Sequence, residues 1–308
     1  MTESILLVTG TSSGIGLATA VAAARHGFTV VATMRDLGRA GALQAAVDAA
    51  GVTLDLQPLD VTSPASIEAC FDHIRSTYGR LDAVLNNAGA GHLGTVELES
   101  VDDVRAVMEV NFFGVVAVTK AALPLLRESG GRVVTVSSVG GVVGQPFNEA
   151  YCAAKFAVEG FMESLTPVAA TVGVRVSVIE PGAVTTEFVA NVQAQETPAV
   201  AGTPYEGALN AYLARTAAAF DPAAAQTPEG VAAAILETLT TAEPDAPAPH
   251  PPCRGASLVS ACGRRPARRS AAAPTRSSAR SRMPGPWAAA PLRRPGSHRT
   301  APPRSAAG

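Results

Sequence analysis

Six short apolar runs alternate with stretches of helical periodicity, and this alternation constrains the fold more than any other property of the chain. The runs are Ser4–Thr9, Thr29–Thr33, Thr53–Pro58, Ala83–Asn86, Arg132–Ser137 and Arg175–Glu180. Between and after them lie helical stretches near Ile15–His26, Leu37–Ala50, Pro64–Tyr78, Val104–Arg127, Glu149–Thr171 and Pro228–Leu239. The runs read as continuous Val, Ile and Leu rather than as apolar–polar alternation, which is what strands look like when helices cover both faces of a sheet. The expectation is an α/β fold with a doubly wound parallel sheet. Ligands of such sheets bind beyond the carboxyl ends of the strands, so those ends are where chemistry is sought.

Charge divides the chain in two. Residues 1–245 hold all 26 acidic residues against 12 basic ones, a formal −14, whereas residues 246–308 hold twelve arginines and neither acid nor lysine. The first region is expected to fold as one domain. The second is dominated by Arg, Pro, Ala, Ser and Gly, and is expected to be a disordered basic tail. Three readings of it stand: a basic arm for nucleic acid or an acidic partner, an inert extension, or GC-rich coding sequence translated out of frame. The apolar run Ile5–Val8 is short and lacks the basic flank of a signal peptide, and no uncharged apolar stretch reaches the ~18 residues of a membrane span. A cytoplasmic location is expected. The four cysteines show no metal-site spacing, so free thiols are expected and no metal.

Four strand ends carry polar or glycine turns. The first strand runs into Thr9-Gly10-Thr11-Ser12-Ser13-Gly14-Ile15-Gly16, where glycines allow close backbone approach and a helix start offers N–H groups to a pyrophosphate. The fourth runs into Asn86-Asn87-Ala88-Gly89, the fifth into Ser137-Ser138 and the sixth into Pro181-Gly182. Each alone also reads as an ordinary turn. Thirteen residues beyond Ser138 stand Tyr151 and, four later, Lys155, in a chain with only one other lysine, Lys120. Residues four apart share a helix face, so the ammonium could favour the ionised phenol and make it a usable acid or base. The pair alone equally fits a tyrosine ring packed on a lysine stem.

Together, Thr9-Gly10-x3-Gly14-x-Gly16, Asn86-Asn87-Ala88-Gly89, Asn111, Ser138, Tyr151-x3-Lys155 and Pro181-Gly182 resemble the short-chain dehydrogenase/reductase family, over about residues 4–190. Asn111-Phe112-Phe113-Gly114, Ser138-Val139-Gly140-Gly141 and Pro146-Phe147-Asn148-Glu149-Ala150-Tyr151-Cys152 are similar to its estradiol 17β-dehydrogenase type 1 and retinol dehydrogenase branch. The resemblance implies a Rossmann-like oxidoreductase. Tyr151 would pass a proton to or from the substrate oxygen, Ser138 would hydrogen-bond that oxygen, and Lys155 would lower the tyrosine pKa and hold the nicotinamide ribose. Asn111 would position a water behind Lys155. Nucleotide would lie against Gly10, Ser12, Ser13, Gly14, Ile15, Gly16, Arg35, Asp60, Val61, Asn87, Ala88, Gly89, Pro181, Gly182, Val184 and Thr186, besides Tyr151 and Lys155. Arg35 beside Asp36 points to NADP, with NAD also open, and with Asp36 turned away.

Val143 and Phe147, with Ser138 and Tyr151, are the expected substrate contacts in an apolar cleft for a lipophilic alcohol, ketone or retinoid-like molecule. Residues 191–220 would form a lid, and His92 reads as a cleft residue or a solvated loop histidine. The helices bearing Asn111–Arg127 and Tyr151–Thr171 could pair into a homodimer, as in the family. A seventh strand is doubtful, since Pro244–Pro252 cannot supply a central one. The alternatives are a nucleotide-binding redox sensor or scaffold without turnover, a nucleic-acid binder acting through the tail, and a hydrolase using Ser138, for which no nearby histidine serves as base.

Overall fold

The computed structural model describes residues 4–186, 200, 202–220, 225–241 and 258–260. Six parallel strands form its sheet: β1 (Ile5–Thr9), β2 (Thr29–Met34), β3 (Asp55–Pro58), β4 (Ala83–Asn86), β5 (Arg132–Val136) and β6 (Arg175–Glu180). The helices between and after them are α1 (Gly14–Arg25), α2 (Gly41–Ala50), α3 (Pro64–Thr77), α4 (Val101–Met108), α5 (Gly114–Ser129), α6 (Glu149–Ala170), α7 (Glu206–Ala219) and α8 (Pro228–Thr240). The spatial order of these six is β3-β2-β1-β4-β5-β6, so the winding reverses between β1 and β4, the position where doubly wound sheets open a crevice for ligand.

Strand residues alternate between two apolar layers. Leu7, Val31, Val84 and Val133 face the layer completed by Ile67, Phe71 and Ile74 of α3, Val118 and Leu126 of α5, and Val158 and Met162 of α6. Leu6, Val8, Val30, Leu85 and Val134 face the other, completed by Ala20 and Ala23 of α1, Leu43 of α2 and Ile235 of α8. Each fully buried Leu, Ile or Phe contributes ~1.5–3 kcal/mol, which makes this two-sided sheet the source of the fold's stability.

Three departures from the sequence reading have physical causes. The helix expected from Leu37 begins instead as a short turn, Leu37–Arg39, capped by the Asp36 carboxylate accepting from Gly38 N at 2.9 Å, before α2 starts at Gly41. The helix expected over Val104–Arg127 is split by a π-helical turn at Glu109–Phe113, an interruption that periodicity does not register. The doubtful sheet edge carries a three-residue strand, β7 (Leu258–Ser260), antiparallel to β6 through Glu180↔Leu258 and Val178↔Ser260. It lies beyond Pro244–Pro252, the segment from which no central strand was expected. Apart from β7, the expected tail falls outside the described residues, as does the lid segment 191–199.

Among the described residues, Val101–Ser129 is the one helical stretch long and apolar enough to cross a membrane by length and composition. It carries Lys120, and Val115, Val118, Ala122 and Leu126 are buried in the sheet's inner layer.

Candidate active site

The glycine turn after β1 is tied to the loop that follows β4. Asn87 Nδ2 donates to Thr9 O and Gly10 O, both at 2.9 Å, while Thr9 Oγ1 accepts the Asn87 and Ala88 N–H groups at 2.9 Å. Thr9 is therefore a bracket of the site that the motif contained but to which no role was given. Gly10 has φ +72°, and a methyl on it would sit 2.8 Å from Ala88 Cα; a methyl on Gly16 would collide with Gly10 O and Asn87 Nδ2. Only hydrogen fits at either position, so the cradle stays open. Ser13 precedes α1 in extended conformation, and its side chain makes no capping hydrogen bond. The first N–H groups of this twelve-residue helix thus have no side-chain cap, as an anion site requires. Thr186 closes the turn from the β6 side, its Cγ2 3.2 Å from where a Gly14 methyl would be, and Val184 is buried where it bridges Gln226. These residues fit a dinucleotide, and Gly10, Ser12, Ser13, Gly14, Ile15 and Gly16 would hold its pyrophosphate, with Thr186 beside them.

At the end of β2, Arg35 and Asp36 are both exposed. The Asp36 carboxylate is engaged by Gly38. Arg35 acts instead on Asp60, whose carboxyl lies below its usual range mainly through the Thr62 backbone N–H, at 2.9 Å from Oδ1, with the nearby arginine adding to the effect. Val61 is buried against Gly114, where a methyl would approach Val61 Cγ2 to 2.7 Å.

Ser138, Tyr151, Lys155 and Asn111 converge between β5, α6 and the π-helical turn. Ser138 follows β5 in extended conformation and accepts Gly140 N–H at 3.0 Å; it also shares a hydrogen bond with Tyr151. Tyr151 and Lys155 are both buried on α6, with Lys155 Nζ 5.8 Å from the tyrosine ring centre and donating to Val136 O at 3.1 Å. The π-helical turn rotates Asn111 fully inward, where Nδ2 donates to Ala90 O at 2.9 Å and Val107 O at 3.1 Å, and Oδ1 accepts Ala90 N–H at 3.2 Å. Gly89 joins the two groups: a methyl there would be 2.9 Å from Asn111 Oδ1 and 3.7 Å from Lys155 Nζ.

Among the protein's own groups, burial governs both titrations. It pushes the Tyr151 phenol up to about 12, against the pull of Ser138, and the Lys155 ammonium down to about 8, against the pull of Glu159. The direction for Tyr151 is opposite to that expected from a neighbouring ammonium, because desolvation opposes ionisation of a phenol and Lys155 directs its proton to a carbonyl.

The expected substrate contacts separate. Val143 is 57% exposed, while Phe147 is buried with Val200 and Leu209, its ring 5.9 Å from that of Tyr212 on α7. Phe147 has φ +59° and is the only described non-glycine residue with positive φ; this turns its ring beneath α7. His92 is mostly enclosed rather than a solvated loop histidine, and its Nε2 pairs with the enclosed carboxylate of Glu99. A buried network missing from the sequence reading lies under the site, with Asn86 Nδ2 donating to Thr119 Oγ1 at 2.9 Å and Thr135 Oγ1 at 3.2 Å. Only the fold brings these threonines together, so no local pattern marks them.

A glycine cradle at the switch point of a doubly wound sheet, beside half-buried Ser138 and buried Tyr151, Lys155 and Asn111, fits a dinucleotide-dependent oxidoreductase. Residues 4–197 match the family model of the short chain dehydrogenases, and the chain belongs to that family as an NAD(P)-dependent enzyme. It is 40% identical over 248 residues to retinol dehydrogenase 8 of Bos taurus, covering 78% of each chain. It is 39% identical over 253 residues to 17-beta-hydroxysteroid dehydrogenase type 1 of Homo sapiens, covering 79% of this chain and 76% of that one. Among solved structures, an alcohol dehydrogenase from the archaeon Thermococcus sibiricus complexed with 5-hydroxy-NADP is similar, with TM-score 0.63, 26% identity, and coverage of 78% of this chain and 92% of that one.

Proposed function

We propose that the chain interconverts a lipophilic secondary alcohol and ketone, or a retinoid-like alcohol and aldehyde, with NADP(H). The observation that carries this reading is the burial of Tyr151, hydrogen-bonded to Ser138, on the same helix face as Lys155 and next to the glycine cradle. A bound nicotinamide supplies or accepts the hydride. The chain's own task is to orient the carbonyl and move a proton. Tyr151 Oη gives its proton to the substrate oxygen in reduction and takes it back in oxidation, while Ser138 Oγ hydrogen-bonds the same oxygen. Lys155 stabilises the phenolate left after proton transfer, and Asn111 holds the backbone and a water behind it. Both named dehydrogenase relatives support a lipophilic substrate. NADPH consumption across steroid, retinoid and aliphatic carbonyl panels tests the reading; nucleotide binding with no turnover on any panel would favour the sensor.

Preference for NADP follows from Arg35, exposed at the end of β2, and from the engagement of Asp36 by Gly38. A guanidinium can grip a 2′-phosphate through charge-assisted hydrogen bonds worth ~1.5–3 kcal/mol. Arg35→Ala is therefore expected to lower the NADP-to-NAD ratio of kcat/KM by about 10- to 100-fold. An unchanged ratio would reject this assignment. Exposed Phe113 of the π-helical turn and Phe156 and Val168 of α6 support a homodimer through the α5 and α6 region, which sedimentation velocity would distinguish from a monomer.

A further inference from the structure

Glu159 lies four residues beyond Lys155 on α6. Helical side chains lean toward the helix amino terminus, so this carboxylate leans back over the turn that carries the lysine. Its Oε1 is closed off from solvent. The enclosing wall is the turn after β5: a methyl on Gly141 would stand 3.2 Å from Glu159 Oε1, 3.0 Å from its Cγ and 2.7 Å from Ser137 Oγ. Glycine at 141 thus leaves the space into which the carboxylate fits.

Lys155 is buried, with Nζ on Val136 O and near Asn111 and the Tyr151 ring. Neither Val139–Gly141 nor the 87–91 loop contributes an acid, and β5 contributes only Arg132, at its far end. From β6 come Glu180 at the near end and Arg175 at the far one, while Glu109 of the π-helical turn and Asp102, Asp103 and Arg105 of α4 are exposed. Glu159 is the carboxylate on the lysine's own helix, one turn on, and it lies against the Ser137 and Gly141 turn next to Val136, whose carbonyl holds Lys155 Nζ; its charge opposes the effect of burial on the ammonium.

We propose that Glu159 is a positioning residue for the reaction, its enclosed carboxylate being the counter-charge that keeps Lys155 an ammonium held toward Tyr151 and Asn111. This rests on the oxidoreductase reading above. Removing the negative charge leaves a desolvated ammonium with less to offset its burial, so Lys155 should lose its proton at lower pH.

Because the chain has only two lysines and Lys120 is exposed, protein labelled with [ε-13C]lysine offers two resonances, which Lys120→Arg assigns. In Glu159→Gln the Lys155 midpoint is expected to fall by about one pH unit or more, with that of Lys120 unmoved. The alkaline limb of kcat/KM for a carbonyl substrate should fall with it, through kcat rather than KM. Glu159→Asp keeps the charge and should restore at least half the shift; it also serves if the glutamine variant does not fold. An unmoved Lys155 midpoint in the folded variants overturns the proposal. The NMR titration needs no turnover. A shifted midpoint in a chain that consumes no NADPH would therefore leave the charge pairing standing and sink the oxidoreductase reading instead.

Discussion

Replacing Tyr151 by phenylalanine is expected to lower kcat by about 10³-fold or more while leaving NADPH affinity within about threefold, as suits the loss of a proton carrier with its packing kept. The ring is buried, with Cε1 3.3 Å from where a Gly140 methyl would be, and phenylalanine fills the same space. What disappears is one Oη atom and its hydrogen bond with Ser138, a loss worth ~1 kcal/mol of stability. The decisive comparison is single-turnover NADPH oxidation beside nucleotide binding followed by fluorescence. If Tyr151→Phe turned over at the rate of the parent, the proton would be coming from elsewhere, and Ser138 and Lys155 would need new roles.

The second large effect belongs to Gly16→Ala. Its new methyl would run into Gly10 O and Asn87 Nδ2, and the first of these is backbone held in the turn that the second clamps. Relief requires moving the cradle or releasing Asn87 from Thr9 O and Gly10 O. We expect a loss of ~1–3 kcal/mol of stability and a rise of about 100-fold in the Kd for NADPH, because the same backbone must meet the pyrophosphate. Gly160→Ala is the matched control: it lies within α6, and apart from its chain neighbours and the helix's own backbone nothing comes within 4 Å of the new methyl. There the exchange should stabilise by up to ~1 kcal/mol and leave binding unchanged. Equal nucleotide affinity in Gly16→Ala and the parent would refute the cradle.

Much of this architecture was readable from the chain because its signals are local. Strands with both faces covered must be continuously apolar, and the six runs lie within two residues of the observed strands. The cluster of Ser138, Tyr151 and Lys155 was legible because it is written in rare residue types at fixed spacing, above all a lysine in a chain with two. The π-helical turn was not legible, since one extra residue per turn leaves the apolar periodicity almost untouched, yet it is what turns Asn111 inward. Phe147 shows the same limit from another side. Its composition suggests a cleft wall, but its left-handed backbone turns the ring toward Tyr212 and Leu209, contacts set by a helix some sixty residues away. The buried set of Asn86, Thr119 and Thr135 likewise exists only once β4, β5 and α5 are packed.

Transfer of label from [4-²H]NADPH to a lipophilic ketone or aldehyde tests the central claim most directly. The account predicts deuterium on the carbinol carbon of the product and loss of that transfer in Tyr151→Phe. Tight NADPH binding with no deuterium in any alcohol across steroid, retinoid and aliphatic substrates would contradict it.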